Sequence, residues 1–402
     1  MRSAPGNLDR DQIFEPIASW RQRASRSLLI LLAMVCLILG IWGGLVRLHW
    51  TFFPLTTYNV NWVSFHGPLM VCGFLGTLIG VERAVAVGRW WAYLGPVLTS
   101  VGGLVLVIGV LGKPAPTLFA LGSLWLLGIT IAMYAKHRSA FLLVMAAGAA
   151  AWLVGNLAWR LHWPFHRVVP WWTGFLLLTI VAERLELSRV LRLGRWQLWF
   201  ISIAVAAYIS GLLIGVPRQM FGERIYGASM IAMAMWLLCF DVAVRTIRRP
   251  GRPRFTASCL LSGYVWLAVA GLLFCVYAPL PKYGGAYDAT LHVFFLGFLF
   301  TMIFGHAPII LPAVLDMPIP FRQSFYTHLI LLHLSLLLRI TGDLASLPKL
   351  QGWGGILTAA TIAIFLLNTI GSTLLFVVRR KQDPPNRKGS TSSDSVSSEC
   401  TN

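Results

Sequence analysis

Charge is scarce in this chain of 402 residues: only 12% are Asp, Glu, Lys or Arg, against 57% hydrophobic residues and a mean hydropathy of +0.72. So few charged side chains cannot cover a globule, which excludes an ordinary water-soluble enzyme or binding domain. Acidic residues are scarcest of all, 14 against 33 Lys and Arg, for a formal net charge of +19. In a soluble chain that excess would point to nucleic acid; in a membrane chain it is what orientation-setting loops carry. Cysteine is sparse too. Cys36, Cys72, Cys239, Cys259 and Cys275 lie in apolar runs and Cys400 in a polar tail, so neither a CxxC metal site nor a disulfide framework is offered. The five in apolar runs are expected to act as small buried hydrophobes. A small-residue cleavage site is also lacking before the first apolar run, which is too long for a signal peptide core, so no cleavable signal is expected.

What the chain has in abundance is long apolar runs. A bilayer core about 30 Å thick takes roughly 20 apolar residues per helix. Twelve windows satisfy this, near 28–46, 62–81, 92–112, 117–135, 139–159, 168–184, 198–216, 226–244, 256–278, 289–311, 325–345 and 353–378. Assigned to alternate connections, 24 basic residues fall on the side of the two termini and 8 on the other, with Arg339 left inside the eleventh window. That asymmetry predicts cytoplasmic termini and an even number of helices. The expected organisation is a cytoplasmic arm (1–27), a twelve-helix transmembrane domain (28–378) and a disordered cytoplasmic tail (379–402) rich in Ser, Thr, Pro and Asn. The run Arg245, Arg248, Arg249, Arg252, Arg254 then reads as an orientation signal beside anionic headgroups, with the lipid bilayer and not nucleic acid as its partner.

The second, sixth and tenth windows carry related strings. The second has Gly73-Phe74-Leu75-Gly76-Thr77-Leu78-Ile79 and the tenth has Gly297-Phe298-Leu299-Phe300-Thr301-Met302-Ile303; the sixth has Gly174-Phe175-Leu176 followed by Thr179-Ile180. A histidine precedes each on the outer side (His66, His166, His292), and two copies end in Glu-Arg (Glu82-Arg83, Glu183-Arg184). Copies spaced four helices apart predict three pseudo-symmetric four-helix units. The two Glu-Arg pairs read as self-compensating charges at the cytoplasmic interface.

Ionisable groups inside a bilayer are expensive, which makes them functional candidates. His66 opens the second window, with Met70 and Gly73 on its face if the helix keeps 3.6 residues per turn. His292 follows Asp288 by four residues, placing a carboxylate where it can orient the imidazole, and precedes Gly297 by five. Both windows run inward from the outer side, so the two imidazoles fall at one depth and can oppose each other across an apolar slot, as axial ligation of a haem iron requires. Small Gly73 and Gly297 would admit a flat ligand or another helix. His306 lies about 21 Å deeper than His292 by helical rise, and His328 and His333 begin the eleventh window on that same inner side. These three offer a second cluster, either for copper or a second haem or as a polar network. Arg339, with Asp343 at i+4, pairs with that carboxylate or neutralises a haem propionate. Trp42, Trp50, Trp62, Trp159, Trp163, Trp171 and Trp172 gather at outer helix ends and read as an aromatic belt.

The string His66-x-x-x-Met70-x-x-Gly73-Phe74 resembles the helix signature of the NnrS family, and His292-x4-Gly297-x4-Met302 resembles that family's later His-rich helix. The resemblance implies a twelve-helix haem- and copper-containing protein of the bacterial cytoplasmic membrane that handles nitric oxide or another small gas. A wider resemblance is to the catalytic subunit of haem–copper oxidases, with three groups of four helices and low-spin haem ligands on the second and tenth. His66 and His292 match that pair, implying haem b. The sixth window has no His-x-x-x-Tyr and the seventh no His pair, so an oxygen-reducing binuclear centre is not expected. The functional expectation is therefore a haem protein of small-gas handling or electron transfer, an oxidoreductase if it turns over. The alternatives are a metal-free secondary transporter and a non-catalytic sensor or assembly protein.

Overall fold

The computed structural model describes residues 20–50, 63–315 and 317–382, and among them every long element is a helix. Twelve helices are long and apolar enough to cross a membrane. In chain order they are α1 (Trp20–Arg47), α2 (His66–Val87), α3 (Leu94–Val107), α4 (Pro114–Lys136), α5 (Ala140–Arg160), α6 (Phe165–Ser188), α7 (Arg195–Gly215), α8 (Gln219–Phe240), α9 (Arg252–Val276), α10 (Gly285–Leu315), α11 (Phe325–Leu344) and α12 (Pro348–Gln382). The chain is a multi-pass membrane protein. An even number of crossings puts the start of α1 and the end of α12 on one face of the bundle, the near face, with the opposite ends on the far face.

Two ends differ from the sequence expectation. α1 begins at Trp20, inside the arm expected over 1–27, and α12 runs on to Gln382. At the first, Arg26 donates from Nε to the Tyr93 hydroxyl at 2.7 Å, so a charged turn is held against the α2–α3 link. The tail expected over 379–402 lies outside the described residues from 383 onward.

Neighbours in sequence pack as neighbours in space, α12 returns to touch α1, and the inner part of α2 meets α10. In α2, α6 and α10, respectively 61%, 83% and 67% of the most apolar stretch is buried, against 28–50% in the other nine. The helices with the repeated strings are thus the interior ones. Because lipid does not drive helices together hydrophobically, close packing and buried hydrogen bonds do that work. Asn156 of α5 shows both: its amide oxygen accepts from Trp172 Nε1 (3.0 Å) and Cys72 Sγ (3.3 Å), while its nitrogen donates to the Phe119 carbonyl (3.1 Å) and Ser123 Oγ (3.3 Å). Four helices meet at this one buried amide.

Burial also corrects two expectations. Trp159, Trp171 and Trp172 are buried, not interfacial, because they belong to α6 and the helix against it. The most exposed tryptophans instead include Trp90, Trp196 and Trp199 on the near face; Trp62 lies outside the described residues. Cys36, Cys72 and Cys259 are buried as expected, whereas Cys239 is on the outer surface of α8 and Cys275 is half-buried.

Candidate functional site

The two interior helices that carry the outer histidines are both wound unusually. α2 widens to π-helical turns over Leu69–Gly76 and α10 over Val293–Phe300, with Gly73 and Gly297 each the fifth residue of its segment. Such turns are rare and concentrate at functional sites. Across these turns the face read from the sequence still holds for α2, where His66, Met70 and Gly73 all turn toward α1. A Cβ built on Gly73 would meet Cys36 of α1 and Gly103 of α3, and one on Gly297 would meet Trp266 of α9 and Leu336 of α11. Both glycines therefore admit a neighbouring helix. Met70 likewise packs on Gly40 of α1, where an added Cβ would lie 2.8 Å from its sulfur.

His66 sits on the same stripe of α1. Its Nδ1–H donates to the Gly40 carbonyl at 2.6 Å, and its ring lies against Gly44, where a Cβ would come within 3.0 Å of Cε1. Gly40 and Gly44, one helical turn apart, form the seat of the imidazole. This small-x-x-x-small spacing was visible in the sequence and its role was missed.

His292 is held from its own helix. Its Nδ1–H donates to the Asp288 backbone carbonyl at 2.8 Å, with the Asp288 carboxylate oxygen Oδ1 at 3.4 Å from the same nitrogen. The other carboxylate oxygen accepts from Arg339 Nη2 (2.7 Å) and Nε (3.1 Å). Arg339 is therefore committed to Asp288 first; Asp343, its expected partner, is at 4.0 Å, and neither oxygen of Asp343 has a hydrogen-bond partner among the described residues. The stem of Arg339 lies against Gly354 and Gly355 of α12.

A carbonyl oxygen only accepts, so both histidines carry their proton on Nδ1 and keep the Nε2 lone pair. Their rings are neighbours and nearly parallel, with centroids 6.5 Å apart and planes at 17°. The His292 side chain retains 19% exposure although it stands on an interior helix.

The other histidines do not join it. His166 lines a separate cavity of about 10 Å³ with Glu223, Tyr226 and Tyr287. For His306, His328 and His333, read as either a metal cluster or a polar network, no group of three or more His, Cys, Asp or Glu among the described residues is placed to hold a metal ion. His328 is enclosed by the rings of Phe255, Phe304, Phe325 and Phe365, with Nδ1 accepting from the Asn368 amide at 3.3 Å. His333 Nδ1 accepts from Trp266 Nε1 at 3.0 Å, and His306 Nδ1–H donates to the Met302 carbonyl at 2.7 Å. At i and i+5 on α11, His328 and His333 point to different neighbours, and His306 lies near Glu82 and Arg184 instead.

Fold and site together define a multi-pass helical membrane protein with two neighbouring imidazoles held between its interior helices. The chain belongs to the family described as Domain of unknown function (DUF8744), whose model matches residues 26–374. No curated protein matches it.

Proposed function

We propose that the protein is a haem b protein of the bacterial cytoplasmic membrane, NnrS-like, with both termini in the cytoplasm, and that it transfers electrons through a bis-imidazole site. The ring pair carries this reading. With each Nε2 turned toward the metal, two metal–imidazole bonds of about 2.0–2.1 Å, plus about 1.1 Å from each ring centre to its nitrogen, would span about 6.3 Å; the centroids of His66 and His292 are 6.5 Å apart. A protein-only zinc site takes three or four ligands. Two histidines without a third neighbouring ligand among the described residues suit a metal that brings its own equatorial ligands, as haem iron does.

The residues present fit that group. Gly40 and Asp288 fix the protons on Nδ1, which leaves both Nε2 atoms as donors and sets the ring orientations. Arg339 acts through Asp288 to steady His292. Bound there, the haem supplies one-electron chemistry. Held by both His66 and His292, the group would have no site left for a gas, so electron transfer would be favoured over direct gas chemistry; binding nitric oxide would require His66 or His292 to leave. A metal-free transporter is less well supported, since such proteins break core helices near the midplane, whereas α10 stays helical through Pro308 and Pro312.

A visible spectrum of the purified protein after haem-replete expression tests the reading. A Soret band that disappears in His66→Ala and in His292→Ala supports it; no Soret band in the wild-type protein sinks it.

A further inference from the structure

The near-face ends of α2, α6 and α10 carry a second polar assembly, unrelated to the haem reading. Glu82, Glu183 and His306 each lie nine residues after the repeated glycine (Gly73, Gly174, Gly297), so they hold one equivalent position in the three strings. The fold brings them together. Arg83 Nη2 donates to Glu82 at 2.8 Å and, across to α6, to Glu183 at 2.6 Å. The two Glu-Arg pairs are therefore not each self-compensating as the sequence suggested. Arg184 turns the other way, to Asp241 at 3.8 Å, with both side chains buried. His306 lies within electrostatic reach of Glu82 and Arg184, and its Nε2 is buried without a hydrogen-bond partner.

Counting these mostly buried groups, Glu82, Glu183 and Asp241 oppose only Arg83 and Arg184, which leaves one negative charge if His306 is neutral. The remaining ionisable neighbours do not cancel it: Tyr264 is uncharged, and Glu186 is exposed to solvent screening. An unbalanced charge in a low-dielectric interior is costly, and carboxylates held close together relieve it by sharing a proton. We infer that Glu82, Glu183 and His306 form a proton-binding site at the near-face ends of the three interior helices, which holds one exchangeable proton. Glu82 and Glu183 are the acceptors that share Nη2 of Arg83, and the open Nε2 of His306 is the third. Proton entry would be from the near face, where Glu82 keeps 23% of its surface exposed.

Infrared difference spectra of the full-length protein in detergent, recorded during a pH titration in H₂O and D₂O, test this. The expected result is one protonated-carboxyl band that shifts in D₂O, is lost in Glu82→Gln or Glu183→Gln, and titrates at a different pH in His306→Gln. Absence of the band in the wild-type protein at every pH where it stays folded overturns the proposal, whatever the variants do. Loss of the band only in Asp241→Asn also overturns it, by moving the proton to the Arg184 pair. So does retention of stoichiometric sodium or potassium after dialysis in place of a proton.

Discussion

The far-face histidines and the near-face histidines differ in what their second nitrogen meets. His66 and His292 each spend Nδ1 on a backbone carbonyl and have a partner imidazole 6.5 Å away. For His306, His328 and His333, Nε2 is buried without a hydrogen-bond partner, and no two of them face each other as a pair. The number of histidines in a region therefore says little. A ligand-ready site needs an imidazole whose tautomer is fixed from behind and whose lone pair has somewhere to point.

The largest effect should come from removing either member of the imidazole pair. His66→Ala or His292→Ala should abolish the Soret band, whereas His333→Ala should leave it at wild-type intensity; equal loss in all three variants would erase the distinction between the faces. Next in size is Arg339→Met. It removes the partner of the half-buried Asp288 and leaves the buried Asp343 without a cation, at a cost toward the low end of the about 3–5 kcal/mol of a broken buried ion pair. Thermal unfolding in detergent measures it, and Arg339→Lys should recover only part, because an ammonium cannot reproduce the two donations of the guanidinium fork. No change in the unfolding midpoint of Arg339→Met would show that Asp288 needs no partner.

A smaller effect separates the two glycines under His66. In Gly44→Ala the new Cβ meets the imidazole ring at 3.0 Å, and a ring pinned by a 2.6 Å hydrogen bond cannot slide freely, so overpacking of about 1–3 kcal/mol should fall on the site. In Gly40→Ala the clash is with the flexible end of Met70, which can rotate away. Haem retention measured by Soret-to-protein absorbance should drop for Gly44→Ala and hold for Gly40→Ala. The reverse order would mean that the seat of His66 is not α1.

Much of this was legible beforehand for a simple reason. A run of about 20 apolar residues has few alternatives to a membrane helix, so the second window, expected at 62–81, became α2 at His66–Val87 and the ninth, expected at 256–278, became α9 at Arg252–Val276. The depth match of His66 and His292 followed from helix direction alone. What stayed hidden was the winding of the helices. The wide turns at Leu69–Gly76 and Val293–Phe300 have no local sequence signature, and the neighbours that Gly73 and Gly297 admit, Cys36 of α1 and Trp266 of α9, are set by tertiary packing. Partner choice was equally hidden. Arg83 prefers a glutamate 100 positions away in addition to its neighbour, because α2 and α6 come together inside the bundle, and a pairing rule based on sequence adjacency cannot see that.

The smallest expected change is at His328, and it sharpens the comparison from the near face. Phenylalanine in its place would join the four Phe rings already around it and would remove an orphaned nitrogen whose burial costs about 1–3 kcal/mol. Against this, Asn368 would lose one acceptor but keep the Ser324 carbonyl at 3.2 Å. The opposing contributions are similar in size, so His328→Phe should unfold within about 1 kcal/mol of wild type, the range of a volume-conserving core swap, with an unaltered Soret band and no loss of bound metal. A copper content that falls in this variant would restore the near-face histidines as a metal site and make the two faces alike.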